Sequence, residues 1–299
     1  MSITEFAKAV KKELETRTGE EVEIANYQKN NGVMLRGLVI KDMQSNIVPT
    51  IYLESFYEKY LCDKDMDFVV DNILDIYEKS KVDGYRDISF FRDFNKVKDK
   101  IAFKLINFND NKKALRTVPF IKFLDLAKVY YVKVELEGFG AGTILVHNTH
   151  LIEWGVSVEE LEKYAAENTP KLSPLQMIDL WDVAERLEEE IPEELRDHVP
   201  EIREEIKSYV MTNQQKLFGA ATMLYKDVMK KHAEKLQRDI YILPSSIHEL
   251  ILVPADFDMN VECMKCTVRD VNRTQVLREE VLSDSVYIYH RETDSITIA

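Results

Sequence analysis

Five consecutive residues, Ser245-Ser246-Ile247-His248-Glu249, gather more chemical capability than any other stretch of this chain. Two hydroxyls, an imidazole and a carboxylate are the groups from which a nucleophile, its base and an orienting acid are assembled. Such a triad needs nucleophile and base within hydrogen-bond reach, roughly 2.6–3.2 Å, and an oxyanion donor nearby. Pro244 precedes the cluster, and apolar runs at Ile240–Leu243 and Ile247–Val253 flank it, so it occupies the mouth of a hairpin. On a regular second strand, His248 shares a face with Leu250 and Leu252, and Glu249 shares the other with Ile251 and Val253. Both faces are apolar further along, which places the strand centrally and the polar pair near its open end, where ligand contact is natural. The same alternation sends His248 and Glu249 apart. It favours a local role, with Ser245 and Ser246 satisfying backbone groups of the turn and His248 and Glu249 bonded close by.

Two other pairs carry ligand-type side chains. His147 and His150 bracket Asn148-Thr149 where a strand meets a helix, but no third or fourth metal ligand has a recognisable spacing. Helix capping by Asn148 or Thr149 plus a surface histidine accounts for them. Cys263-Met-Lys-Cys266 is a C-x-x-C pair whose thiols point away from the Val261, Met264, Val268 and Val271 stripe of a helix, so both are expected to be exposed. Zinc needs two further ligands, and the remaining thiol is Cys62, so the pair reads as incidental. His248-Glu249 opens like H-E-x-x-H, yet Leu252 stands where the second histidine belongs. No G-x-S-x-G elbow, dinucleotide fingerprint, P-loop or glycosidase signature occurs. The residues call for no cofactor and no metal.

Of the 299 residues, 45% are apolar in type, enough for a packed core. Forty basic and 53 acidic residues give a formal charge of 40 − 53 = −13, which repels phosphate backbones and anionic lipid. The basic stretch Lys226, Lys230, Lys231, Lys235 and Arg238 lacks interleaved aromatics and reads as a solvated helix face, so no nucleic-acid partner is expected. There is no apolar signal core and no run of eighteen apolar residues, which predicts a cytoplasmic protein with no membrane partner.

The chain opens with a helix capped by Ser2 and Glu5, striped by Ile3, Phe6, Val10 and Leu14 and ended by Gly19. A hairpin follows, Glu21–Tyr27 and Val33–Lys41 around Asn30-Asn31-Gly32, then a strand over Ile47–Leu53. Helices are expected at Ser55–Leu61 and Met66–Lys79, and strands at Ile101–Phe108, Ala127–Leu136 and Gly142–His147. Ser157 and Glu160 cap the next helix. Leu175, Ile178, Trp181 and Leu187 predict one buried helix face, and the acid-rich Glu188–Glu205 run reads as a solvated connector rather than an interaction surface. Strands at Ile206–Thr212 and Phe218–Thr222, a helix at Met223–Leu236, the hairpin and strands near Ser285–Tyr289 and Ile296–Ile298 complete the chain. Phe139-Gly140-Ala141-Gly142-Thr143-Ile144-Leu145 echoes Phe218-Gly219-Ala220-Ala221-Thr222-Met223-Leu224, which argues for duplication over coincidence. The expectation is an α+β fold of mixed, largely antiparallel sheets with packed helices, in two related strand–strand–helix halves. Its parts are an N-terminal α+β part at 1–169, an acidic helical connector at 170–205 and a C-terminal α+β part at 206–299, either separate or as one continuous domain.

Phe123-Leu124-Asp125-Leu126-Ala127, Trp154-Gly155-Val156-Ser157, Ala166-Glu167-Asn168-Thr169, Tyr241-Ile242-Leu243-Pro244-Ser245-Ser246-Ile247-His248-Glu249 and Val281-Leu282-Ser283-Asp284-Ser285-Val286-Tyr287 together resemble an uncharacterised bacterial family. That family is a domain of unknown function common in Gram-positive gut bacteria. The likeness covers nearly the whole chain, with Leu-Pro-Ser-Ser-Ile-His-Glu its most specific element. It implies a bacterial cytosolic protein, carries no activity or catalytic residues, and does not feature Cys263 or Cys266. A fainter likeness to a second uncharacterised family adds no function.

Two functional expectations follow. The first is a non-catalytic binding or regulatory module for a protein partner or a small ligand, which fits the missing signatures and the acidic surface. The alternative is a hydrolase built on Ser245 or Ser246, with His248 as base and Glu249 or another acid orienting it. Oligomeric state is not legible in the residues.

Overall fold

In the N-terminal helix, apolar spacing and both caps agree. Helix α1 (Ile3–Thr18) starts at Ser2, whose hydroxyl accepts the Glu5 N–H at 3.3 Å while Glu5 Oε2 accepts the Ser2 N–H at 2.7 Å. Gly19 closes it at φ +73°, a left-handed conformation that costs glycine little. In this computed structural model, residues 1–81, 84–136, 140–186, 207–255 and 260–299 are described. The fold is α+β, and two compact units divide it: residues 1–91 with 134–142, and residues 92–133 with 143–299.

In the first unit, β1 (Val22–Gln28) and β2 (Met34–Ile40) pair antiparallel around Asn31 and Gly32, both at positive φ. β3 (Ile51–Tyr52) joins β2. The strand expected over Ile47–Leu53 shrinks to these two residues, since Pro49 has no N–H for a ladder. Helices α2 (Glu54–Asp63) and α3 (Met66–Ser80) close the unit over Phe6, Val10, Leu14, Leu38 and Ile73, all fully buried.

The second unit holds the Ser245–Glu249 segment. After the short α4 (Phe94–Val97) come β4 (Ile101–Asn107), β5 (Phe120–Phe123), β6 (Leu126–Leu136) and β7 (Gly140–Leu145). They form a sheet ordered β4-β6-β5, with β7 also on β6. Following α5 (Asn148–Trp154), helix α6 (Val158–Leu172) starts at Ser157, whose hydroxyl accepts the Glu160 N–H at 3.2 Å. It docks on the sheet through Glu162, which takes the Lys128 ammonium at 2.7 Å and the Tyr130 hydroxyl at 2.8 Å.

The remaining strands are β8 (Leu175–Asp179), β9 (Tyr209–Asn213), β10 (Ile240–Pro244), β11 (Leu250–Pro254), β12 (Tyr287–His290) and β13 (Ser295–Ile298). They make a six-stranded antiparallel sheet ordered β13-β12-β10-β11-β9-β8, joined by α7 (Leu180–Arg186), α8 (Val228–Leu236) and α9 (Val261–Thr274). β11 lies between β10 and β9, central as its two apolar faces require.

Four expectations need correction. Leu175–Asp179 is an edge strand rather than helix: Leu175 and Met177 reach the core at a period of two, and β9 supplies the partner. Leu187 and the Glu188–Glu205 run lie outside the described residues, as does Ile206. Phe218–Thr222 is not a strand. Gly219–Leu224 is a 3-10 turn, and the helix expected from Met223 starts only at Val228, after Asp227 at φ +59°. The echoed segments therefore differ in conformation, since Gly140–Leu145 is extended, and they do not make two related halves. Phe139 is itself outside the described residues.

Candidate functional site

The Ser245–Glu249 segment is the turn between β10 and β11, and its polar groups are consumed locally. The Ser245 and Ser246 amides both donate to the Glu249 carbonyl at 3.2 Å. Ser245 Oγ donates to Glu249 Oε1 at 3.1 Å, and Ser246 Oγ accepts the His248 N–H at 3.0 Å. Neither hydroxyl is hydrogen-bonded to the imidazole. His248 Nδ1 instead accepts the Phe218 N–H at 3.2 Å, which puts the ring proton on Nε2, facing Glu280 Oε1 at 3.6 Å. An imidazole in that tautomer has no free lone pair for a hydroxyl proton.

The turn is also a docking point for its neighbours. The Ile247 N–H reaches the Glu280 carbonyl at 2.8 Å, and Thr212 Oγ1 reaches the His248 carbonyl at 2.8 Å. Phe218, held at φ +57°, stacks on the His248 ring at 5.8 Å with 13° between planes, while Lys104 Nζ sits 4.1 Å from the Phe218 centroid. A bulky residue in the left-handed region costs on the order of 1–3 kcal/mol and persists only when neighbours over-determine it. Gly219 follows because a Cβ there would strike Thr212 Oγ1 and the His248 carbonyl.

A second polar centre forms around Asp125, at the turn between β5 and β6. Its carboxylate accepts from Ser283 Oγ at 2.6 Å, Ser285 Oγ at 3.0 Å and Tyr287 Oη at 2.7 Å. Asn272 Nδ2 on α9 donates to the Ser283 carbonyl at 3.0 Å and to Asp284 Oδ1 at 2.8 Å. Burial, then the Asp125 charge, pushes the Tyr287 hydroxyl far above the ordinary tyrosine range, so it stays a donor.

A third centre brings a hydroxyl, an imidazole and a carboxylate into line. At the end of β12, His290 Nδ1 lies 3.2 Å from Asp239 Oδ2, and His290 Nε2 lies 2.9 Å from Thr297 Oγ1 on β13. An ionised carboxylate can only accept, so the neutral ring carries its proton on Nδ1 and leaves the Nε2 lone pair to the Thr297 hydroxyl. Asp239 is itself anchored, its Oδ1 accepting the Arg291 N–H at 2.9 Å. These groups line an open cleft of about 630 Å³ that also holds Arg238, Arg291 and the hydroxyls of Thr293 and Ser295. Arg291 Nη1 reaches Gln237 Oε1 at 3.1 Å across it.

A family model for a family of unknown function, DUF5688, matches residues 3–291. The chain belongs to this family. No curated protein and no solved structure matches it. In this DUF5688 member, three of the segments that carried the resemblance meet: Phe123–Ala127 supplies Asp125, Val281–Tyr287 supplies its three hydroxyl donors, and Glu280, just before that last segment, takes the Ile247 amide of the Ser245–Glu249 turn. Their shared task is to join the β5–β6 turn, the β10–β11 turn and β12.

Asp239, His290 and Thr297 were not among the residues singled out from sequence. They are scattered singly over about sixty positions, and two registers bring them together: β10–β12 sets Ile240, beside Asp239, opposite Tyr289, and β12–β13 sets Ile288 opposite Thr297 and His290 opposite Ser295. The signal that existed was a polar residue, His290, ending the apolar Val286–Tyr289 run. His150 turns inward to accept the His147 N–H at Nδ1, 3.0 Å away, and its ring lies 5.7 Å from that of Trp154. Burial, then the His147 charge, holds His150 below the ordinary histidine range. Among the described residues, no three His, Cys, Asp or Glu side chains are placed to hold a metal ion. Cys62, Cys263 and Cys266 are free and exposed. No helix among the described residues is long and apolar enough to cross a membrane.

Proposed function

We propose that this DUF5688 member is a cytosolic binding module that takes a small ligand bearing an oxyanion, a carboxylate or a phosphate, into the cleft between Asp239 and β12–β13. One observation carries this reading: Arg238 and Arg291 line one open cavity of about 630 Å³ together with the hydroxyls of Thr293 and Ser295 and the Glu292 carboxylate. That volume lies in the ordinary range for small-molecule sites, roughly 300–1,000 Å³. Guanidinium groups keep their charge at any accessible pH and present a fork that matches carboxylate and phosphate oxygens. Asp239 is already committed to the Arg291 amide and to His290, which leaves Glu292 as the other carboxylate beside two guanidinium groups. Three free, exposed thiols suit a reducing compartment. The net charge of −13 opposes a nucleic-acid partner, while a small anion is screened beyond about 8 Å and meets mainly the local cations. On this reading the Ser245–Glu249 turn is scaffold.

Thermal unfolding in the presence of inorganic phosphate or succinate tests the proposal. Ligand at a hundred times its dissociation constant stabilises the folded state by about 2.7 kcal/mol. The shift is expected in the wild-type chain and lost in Arg238→Ala/Arg291→Ala. No shift with either probe up to tens of millimolar, or the same shift in the double variant, would defeat it.

A further inference from the structure

We propose that the Asp239–His290–Thr297 chain makes Thr297 Oγ1 a nucleophile toward esters carrying an anionic group, so that the cleft performs acyl transfer to water. The inference rests on the cleft being the ligand site and goes beyond binding.

The geometry supplies a nucleophile, a base and an orienting acid in line. Nucleophile and base are 2.9 Å apart, base and orienting acid 3.2 Å, both within the range such sites use. The carboxylate fixes the tautomer that leaves Nε2 basic, and it stabilises the imidazolium that forms when the proton moves. Backbone holds the carboxylate in turn, through the Arg291 N–H at 2.9 Å. Thr297 is exposed on β13, at the outer edge of the six-stranded sheet, so an ester can approach its oxygen. His248 offers the instructive contrast. Its Nδ1 is occupied by the Phe218 amide and its Nε2 carries the proton, so of these two imidazoles only His290 presents a lone pair to a hydroxyl.

The step balances without a co-reactant other than water. Thr297 Oγ1 attacks the ester carbonyl carbon as its proton passes to His290 Nε2. The carbon–oxygen bond to the leaving alcohol breaks, and that alcohol departs with the proton from His290. The acyl group is left on Thr297 Oγ1. Water then attacks the acyl carbon by the same proton route, releasing a carboxylic acid and restoring the threonine hydroxyl. Arg238 and Arg291 line the same cleft and are suited to hold the substrate's anionic group.

The test uses the full chain with 4-nitrophenyl acetate and its carboxylate-bearing analogue 4-nitrophenyl hemisuccinate, reading nitrophenolate release and the site of acylation by peptide mass. Expected is an acyl group on Thr297, faster release with the hemisuccinate, and at least a hundred-fold loss of that release in Thr297→Val and in His290→Asn. Thr297→Ser should retain acylation at position 297, and Ser245→Ala should leave the rate unchanged. Acylation confined to lysines, or equal rates in Thr297→Val and wild type, would overturn the inference. If phosphate still stabilises the chain while Thr297 stays unlabelled, binding stands and the acyl step falls. If neither is seen, the binding reading falls too.

Discussion

Replacing Asp125 with alanine removes the acceptor of three hydroxyl hydrogen bonds, from Ser283 at 2.6 Å, Ser285 at 3.0 Å and Tyr287 at 2.7 Å. Hydrogen bonds to a charged group contribute about 1.5–3 kcal/mol each. The three do not simply add, because Ser285 Oγ lies in a half-buried setting where water can replace the carboxylate. The Tyr287 hydroxyl has no such recourse: its side chain is fully buried, and a stranded donor of that kind costs about 1–3 kcal/mol more. The expected cost of Asp125→Ala is therefore about 3–5 kcal/mol. Tyr287→Phe alone should cost about 1–2 kcal/mol, and adding it to Asp125→Ala should cost less than the sum by a similar amount, since the stranded hydroxyl is gone. Urea unfolding of the four proteins, followed by near-ultraviolet circular dichroism, gives these differences from midpoints at constant slope. A loss under about 1 kcal/mol for Asp125→Ala, or strict additivity in the double variant, would refute the view that this carboxylate clamps the turn to β12.

Acid should weaken the fold through His232, whose pKa burial, aided by the Lys235 charge, lowers from 6.5 to about 4 and whose Nε2 has no hydrogen-bond partner. The unfolded chain takes up this proton first, so its share of stability is complete above pH 6.5 and is lost as pH falls toward 4, a total of about 3 kcal/mol. His232→Leu should flatten that part of a stability–pH curve measured by denaturant unfolding, and an unchanged slope would show that the ring is not buried neutral. Gly219→Ala should cost more than about 3 kcal/mol, or abolish soluble expression, because its Cβ meets the His248 carbonyl and Thr212; a midpoint within 0.5 M urea of wild type, about 1 kcal/mol at ordinary slopes, would contradict the close approach. All three thiols should react with Ellman's reagent in the folded chain, since Cys62, Cys263 and Cys266 are exposed; fewer than three equivalents would place one of them inside.

Local signals were readable wherever a cap, a turn residue and a clear apolar period agreed. Ser2 with Glu5, Gly19 and the Asn31-Gly32 turn all act as their chemistry dictates. Reading failed where tertiary partners chose the conformation. Leu175–Asp179 becomes strand because β9 pairs with it, and Gly219–Leu224 coils because Phe218 is held left-handed by His248. The same holds for the polar centres. The Ser245–Glu249 turn is conspicuous as a string of residues, yet its groups satisfy one another and the Phe218 amide. Asp239, His290 and Thr297 are unremarkable in sequence and meet only through strand register.

Amide-resolved NMR of the full chain, titrated with inorganic phosphate, tests the binding site most directly. The account predicts saturable shifts at Gln237–Asp239 and across His290–Thr297, with the Phe218 and Ser245–Glu249 amides unmoved and the shifts abolished by Arg238→Ala/Arg291→Ala. Shifts centred on the Ser245–Glu249 turn, or none at the cleft up to tens of millimolar phosphate, would contradict it.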